Sequence, residues 1–299
     1  MATRTRTVPS APIELPLGRE SMAWRVNSEP TVIFGGARAL LLQVAHPSIA
    51  AGVEQHSSYR RDPWGRLFGT LHIVGKMTFG TPEESRRHQD LLKKFHEGVV
   101  GVADDGTEYR ALDPALLLWV WATLLDTAVD LYQRCVGPLT DGEVEQYYQE
   151  SKALAVGVGV PIEDCPTDWA ALQEYFAAVV HDELHVGDSA RAVATAVLAP
   201  PLPFGIAGVV SIPQTIVTAG LLPPSVREQY GLTWSRHDRR RFDAFFASLR
   251  LASRITYPPA RRLPASITLR LNQPLRFPAL QWAGGRIVTR RLQRAGFAA

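Results

Sequence analysis

The sequence predicts an all-α fold, a single multi-helix domain with at most a minor β-hairpin, and three observations predict it. Apolar residues recur at three- and four-residue spacing through most of the 299 positions. Capping residues, often with a proline directly after them, stand ahead of those runs. A hairpin signal is confined to residues 103–112. With 46% hydrophobic and 20% charged residues the chain can bury one large core or two modest ones. Residues 1–20 read as a flexible N-terminal arm, 21–299 as the single helical domain, and there is no internal repeat.

Taken in order, a short apolar helix from Ser48 to Val53 is flanked by His46-Pro47 and Gln55-His56-Ser57. Asp62-Pro63 then supplies a cap and a helix-compatible proline. Behind them Trp64, Leu67, Phe68, Leu71, Val74 and Thr78 form one stripe that should stop near Gly80. Thr81-Pro82-Glu83-Glu84 starts the next helix, with acids at its positive end, and its stripe Leu91, Leu92, Phe95, Val99 carries His96 on the inward face. The hairpin candidate, Ala103 to Leu112, centres on Asp105-Gly106. Asp113-Pro114 opens a long helix through about Arg134. Further helices are expected over 140–155 after Thr140, 167–186 after Thr167 and 235–256 after Ser235.

Residues 192–226 contain no charged side chain, and Pro200, Pro201, Pro203, Pro213, Pro223 and Pro224 divide them into pieces shorter than the roughly 20 residues of a membrane-spanning helix. A buried pair of short helices is the expectation. A wall of a hydrophobic channel, or a segment dipping into a membrane face, fits the same composition.

Charge is uneven. From Arg227 onward fifteen arginines stand against Glu228, Asp238 and Asp243, a surplus of twelve that leaves the first 226 residues at −9 within a total of +3. The plain reading is a solvated basic face. Peripheral contact with a membrane surface is compatible with it, and no nucleic-acid partner is expected, because no nucleic-acid-binding motif accompanies the arginines. The two cysteines, Cys135 and Cys165, lack the spacing of a zinc site or a disulfide framework. They suit a reducing compartment. The N-terminus has basic residues but no apolar run of signal-peptide length, so a cytoplasmic location is expected.

Several residues are able to carry chemistry. Arg66 and Thr70, four apart, point to one side of their helix, although Arg66 could equally pair with Asp62 and Thr70 with the preceding backbone turn. His96 could bind a metal or a haem iron through one nitrogen, or be a hydrogen-bonded core histidine. In His181-Asp182-Glu183-Leu184-His185 two histidines at i and i+4 could share a metal, but a surface helix is the first reading, since the glutamate is misplaced for His-Glu-x-x-His. Cys165-Pro166 reads as structural. His56, with Asp62 and Arg66 close behind it, borders either a site or a capped loop.

Ala45-His46-Pro47, Gln55-His56-Ser57, Asp62-Pro63-Trp64-Gly65-Arg66, Thr70, Phe79-Gly80-Thr81, Phe95-His96-Glu97-Gly98-Val99-Val100-Gly101, Tyr109-Arg110-Ala111-Leu112-Asp113-Pro114 and Leu118-Trp119-Val120 together resemble one known family. The resemblance spans about residues 30–160, and the C-terminal half matches more loosely. That family was long catalogued as a domain of unknown function. It includes the latex-clearing rubber oxygenases and a fungal oxygenase that trims the terpenoid tail of a mycophenolic acid precursor. Its pattern is an Arg-x-x-x-Thr helix followed by a helix whose histidine binds haem b.

The resemblance implies that His96 is the proximal iron ligand, with Arg66 and Thr70 beside the haem, positioning it and shaping its polar surroundings. A neutral imidazole on a buried helix is chemically suited to that role and leaves the opposite axial position open for dioxygen. For the rubber oxygenases the family implies cleavage of a carbon–carbon double bond into two carbonyls. Those enzymes carry a lysine directly before the threonine, where this chain has Gly69, so the distal arrangement differs. His56 and Glu54 are the distal candidates. The expected function is a haem-dependent oxygenase acting with dioxygen, and with an electron donor no motif identifies, on a hydrophobic, unsaturated isoprenoid, lipid or secondary metabolite. Two other classes fit the same residues: a haem-binding sensor or storage protein, and a haem-free helical scaffold held at a membrane by residues 192–226 and the basic C-terminus.

Overall fold

The computed structural model describes residues 15–60, 63–198 and 207–256, with the side chains of 63–68 and 207–212 outside that description. Helices dominate the described residues. In chain order they are α1 (Met22–Asn27), α2 (Gly36–Val44) entered through a 3-10 turn at Pro30–Gly35, α3 (Pro47–His56), α4 (Pro63–Phe79) and α5 (Pro82–Glu97). Strands β1 (Val100–Val102) and β2 (Glu108–Arg110) follow, then α6 (Pro114–Cys135), α7 (Asp141–Val158), α8 (Trp169–Asp182), α9 (Asp188–Leu198), α10 (Ala207–Leu221), α11 (Pro224–Gln229) and α12 (Arg236–Ile255). The fold is mostly α, as the sequence predicts.

Local chemistry explains the boundaries. Thr81, Thr140 and Ser235 each form a reciprocal capping box, with Glu84, Glu143 and Asp238 respectively, at the starts of α5, α7 and α12. Asp113 Oδ1 accepts the Ala115 amide at 2.9 Å and starts α6. The hairpin pairs Val100 with Arg110 and Val102 with Glu108, and Gly106, at φ 87°, makes the left-handed turn between them.

Three expectations shift. The cap of α8 is Asp168, not Thr167, and the helix ends at Asp182, short of residue 186. Pro213 lies inside α10 and does not end it. The short helix over 48–53 extends to Pro47–His56. The arm at residues 1–14, Asp62 and the prolines of residues 199–206 lie outside the described residues.

The core is built around α6, which packs against α2, α7, α8, α12 and the 3-10 turn. This helix is long and apolar enough to cross a membrane, but 72% of its apolar window is buried in the protein, which makes it a core helix. Its indoles satisfy their own N–H groups: Trp119 donates to the Leu42 carbonyl at 3.2 Å and Trp121 to that of Ser151 at 3.1 Å. Gly35 lets the 3-10 turn approach α6, since a Cβ there would lie 2.3 Å from the Thr127 methyl. Arg38, buried on α2, ties three helices together by donating to the Leu221 carbonyl (2.9 Å), Thr127 Oγ1 (2.5 Å) and Asp126 (2.5 Å). The pair α4 and α5 pack chiefly on each other, and α5 reaches the body at α7, where Gln89 lies against Gly157.

Candidate active site

The α4–α5 hairpin buries polar groups. His72, Lys76, Thr78 and Ser85 are all buried. Lys76 Nζ sits 2.7 Å from Glu84 Oε1, and Glu84 Oε2 in turn accepts the Thr81 amide at 2.9 Å. The His72 and His88 rings meet edge to face with centroids 5.7 Å apart. His88 Nδ1 lies 2.7 Å from the Glu84 carbonyl oxygen, and Ser85 Oγ donates to the Met77 carbonyl at 2.6 Å. Burial pushes the His72 imidazole below its ordinary value, and the neighbouring His88 and Lys76 add to the effect. The Lys76 ammonium and the Thr81 amide hold the Glu84 carboxyl below its usual range.

On its outside the hairpin exposes Arg86, Arg87, Asp90, Lys93, Lys94 and Glu97, and among them some large apolar side chains. Leu91 is 52% exposed and Phe95 58%, and Leu71 and Val74 of α4 are exposed as well. Sequence spacing marks Leu91, Leu92, Phe95 and Val99 as an inward stripe, yet its longest members stay uncovered by the chain itself.

His96 ends this stripe. It is half-buried, its Nδ1 buried, with its ring 5.8 Å from that of Phe95, and Gly98 caps the helix two residues later. Thr70 lies exposed on α4, the helix that also carries Arg66, whose side chain is outside the described residues. The hairpin therefore brings the Arg66–Thr70 helix and the His96 helix together as direct neighbours.

The two distal candidates are committed to scaffolding. His56 Nε2 lies 3.1 Å from the Val100 carbonyl oxygen and joins the end of α3 to β1. Glu54 accepts the Tyr59 hydroxyl and the Arg60 guanidinium, the latter at 2.5 and 3.1 Å. Beside them Tyr109 Oη donates to Gln55 Oε1 at 2.8 Å, and Gln55 Nε2 donates to the Val102 carbonyl at 2.9 Å. The strand that directly follows His96 is thus braced against α3. Spacing gave no sign of this brace or of the Lys76–Glu84 pair, because both connect residues on different elements.

The histidine pair at 181 and 185 does not converge. Since α8 ends at Asp182, His181 is exposed and pairs with Asp182 at 2.6 Å, while the His185 amide donates to the Ala45 carbonyl. Glu183 instead lies 3.6 Å from His46 Nε2. Cys165 is buried and free, and burial raises the Cys135 thiol to about 11, so neither is poised as a thiolate. A cleft of about 830 Å³ bordered by α6, α7 and α8 holds Arg38, Asp126, Asp130, Arg134, Glu145 and Trp169, none of them a candidate from the sequence. Its arginines already pair with Asp126 and Asp130. Among the described residues no group of three or more His, Cys, Asp or Glu side chains could hold a bare ion.

Comparison with known proteins gives a consistent picture. The family model described as ER-bound oxygenase mpaB/B'/Rubber oxygenase, catalytic domain, matches residues 24–251. An uncharacterized protein of Mycobacterium bovis and one of Mycobacterium tuberculosis are each 29% identical over 226 residues, covering 73% of this chain and 88% of the relative. No solved structure matches the chain.

Proposed function

Because the chain belongs to the mpaB and rubber oxygenase family and is oxygenase-like, we propose that it binds haem b through His96 and acts with dioxygen on a hydrophobic, unsaturated small molecule. The observation that carries the proposal is the apolar stripe that ends at His96. Exposed Leu91 and Phe95 precede its half-buried imidazole on α5, a surface that a flat apolar macrocycle would cover. One protein nitrogen is also the number of donors that porphyrin-bound iron needs from a proximal ligand.

Within this reading each residue has a task. His96 would hold the iron through an imidazole nitrogen. Arg66 offers a guanidinium for charge-assisted bonds to the anionic edge of the macrocycle, and Thr70 a hydroxyl one turn away. Bound haem would supply the iron that binds and activates dioxygen. Leu71, Val74, Leu91 and Phe95 would pack on the macrocycle and exclude water. Glu54 and His56, the distal candidates, also support this wall through α3 and β1. An isoprenoid, lipid or secondary metabolite in the cytoplasm is the substrate class that this apolar surface suits, and oxidative cleavage of its C=C bond is the reaction the family suggests.

The test is the absorption spectrum of purified protein beside His96→Ala, oxidised and reduced, with haem quantified by extraction. A Soret band in the wild type that is lost or shifted in the variant supports the proposal. A colourless wild type that cannot be reconstituted overturns it in favour of a haem-free scaffold. Dioxygen uptake with unsaturated isoprenoids then separates an oxygenase from a haem sensor, which would consume none.

A further inference from the structure

We infer that the outward face of α12 docks the protein on an anionic phospholipid bilayer. Phe242, Phe246 and Ser253 bury one side of this helix against α6 and α10. The other side carries Arg240, Ala244, Ala247, Leu251 and Ile255, at intervals of three and four and so in one row. Leu251 is 61% exposed and Ile255, the most exposed large apolar residue described, 78%. Arg236, Arg241 and Arg254 flank the row and are exposed. The helix therefore has two apolar sides, one used by the core and one rimmed by arginine.

The apolar surface extends onto the neighbouring 3-10 turn. Phe34 meets Phe245 of α12 edge to face at 5.4 Å, and Ile33 and Phe34 are both exposed. Basic residues around exposed aliphatic and aromatic side chains are what an interfacial helix presents to lipid: charge attracts the anionic headgroups and the apolar row enters the acyl boundary.

Charge complementarity selects the occupant. Residues 227–256 hold seven arginines against Glu228, Asp238 and Asp243, a surplus of four, while the first 226 residues carry −9, so an anionic surface attracts the α12 edge in preference to the remainder. Arginine with no lysine in this stretch matches phosphate, the group that headgroups present. Nucleic acid offers the same charge, but it leaves Leu251 and Ile255 in water. A bilayer buries them. This inference is independent of the haem assignment.

Flotation of the full chain with phosphatidylcholine vesicles, with and without phosphatidylglycerol, tests it. Binding is expected to require phosphatidylglycerol and to be lost near 1 M salt, where screening shortens to about 3 Å. Arg240→Glu with Arg241→Glu should weaken it by at least about tenfold, since each basic residue near the surface contributes roughly fivefold. Leu251→Ser with Ile255→Ser should weaken it at unchanged charge. Four outcomes overturn the inference: equal binding to neutral vesicles; no binding to either; binding of the variants equal to wild type, which moves the contact beyond residue 256; or retention by nucleic acid in place of vesicles. Far-UV circular dichroism confirms that each variant folds.

Discussion

Lys76 shows how a single side chain fixes the hairpin. Its ammonium is buried, so Lys76→Met keeps the stem but leaves Glu84 without its cation, and Glu84→Gln keeps the capping geometry while losing the charge. Because the Glu84 end is partly open to water, each should cost roughly 1 kcal/mol in a denaturant titration. Arg38 is more demanding. Arg38→Met strands Asp126, Thr127 and the Leu221 carbonyl in the interior, and a loss of about 3–5 kcal/mol is expected in the same measurement. Histidines set the acid limit. Burial lowers His72 and His46 in the folded state, so the unfolded chain binds their protons first. Their contribution is complete above the ordinary histidine value of about 6.5 and is lost as pH falls below it. His72→Gln should flatten the melting temperature between about pH 5 and 7 relative to wild type.

At the scale of elements, Thr140→Ala removes the side-chain cap of α7 and should cost about 1 kcal/mol, read by thermal melting. Such caps were legible because they are local: Thr81, Asp113, Thr140 and Ser235 start helices where the sequence places them. Thr167 lost to Asp168 by one position, since either oxygen can cap and only the turn after Cys165 decides which one reaches the Ala171 amide. Helix α1 is capped by Ser21, whose Oγ accepts the Trp24 amide at 3.0 Å, but its six residues are too few to show a period, and α2 carries no such cap. α2 starts at Gly35 without a side-chain cap and is buried on several sides, so no polar face alternates with the apolar one. Of the two readings of His181–His185, the shared metal falls away because a four-residue interval means one face only while the helix lasts, and α8 ends at Asp182. For α4 and α5, spacing located the apolar stripe correctly and could not reveal which side the chain covers. That depends on Lys76, His72 and Glu84 finding one another across two helices. The choice of His96 rests only on its neighbours in the motif, as a lone histidine on a stripe specifies no ligand.

Over the whole molecule, stability is distributed unevenly. Helix α6 packs against α1, α2, α7, α8, α12 and the 3-10 turn, while α4 and α5 lean mainly on each other and meet the body where α5 reaches α7, where the Leu17 amide donates to the Thr78 carbonyl and where Trp24 meets Phe79. Amide hydrogen exchange should therefore rank the two regions, with α6 exchanging only on global unfolding and the α4–α5 pair opening first, and addition of haem should slow the pair selectively. Equal protection of both regions would contradict this. The separation has a consequence for biogenesis. On the proposed haem assignment, a chain whose central scaffold is packed apart from the hairpin would finish folding before the haem arrives, accept it by a local opening, and surrender it again without dismantling the rest. Cofactor supply, rather than synthesis of the polypeptide, would then set how much active protein a cell holds.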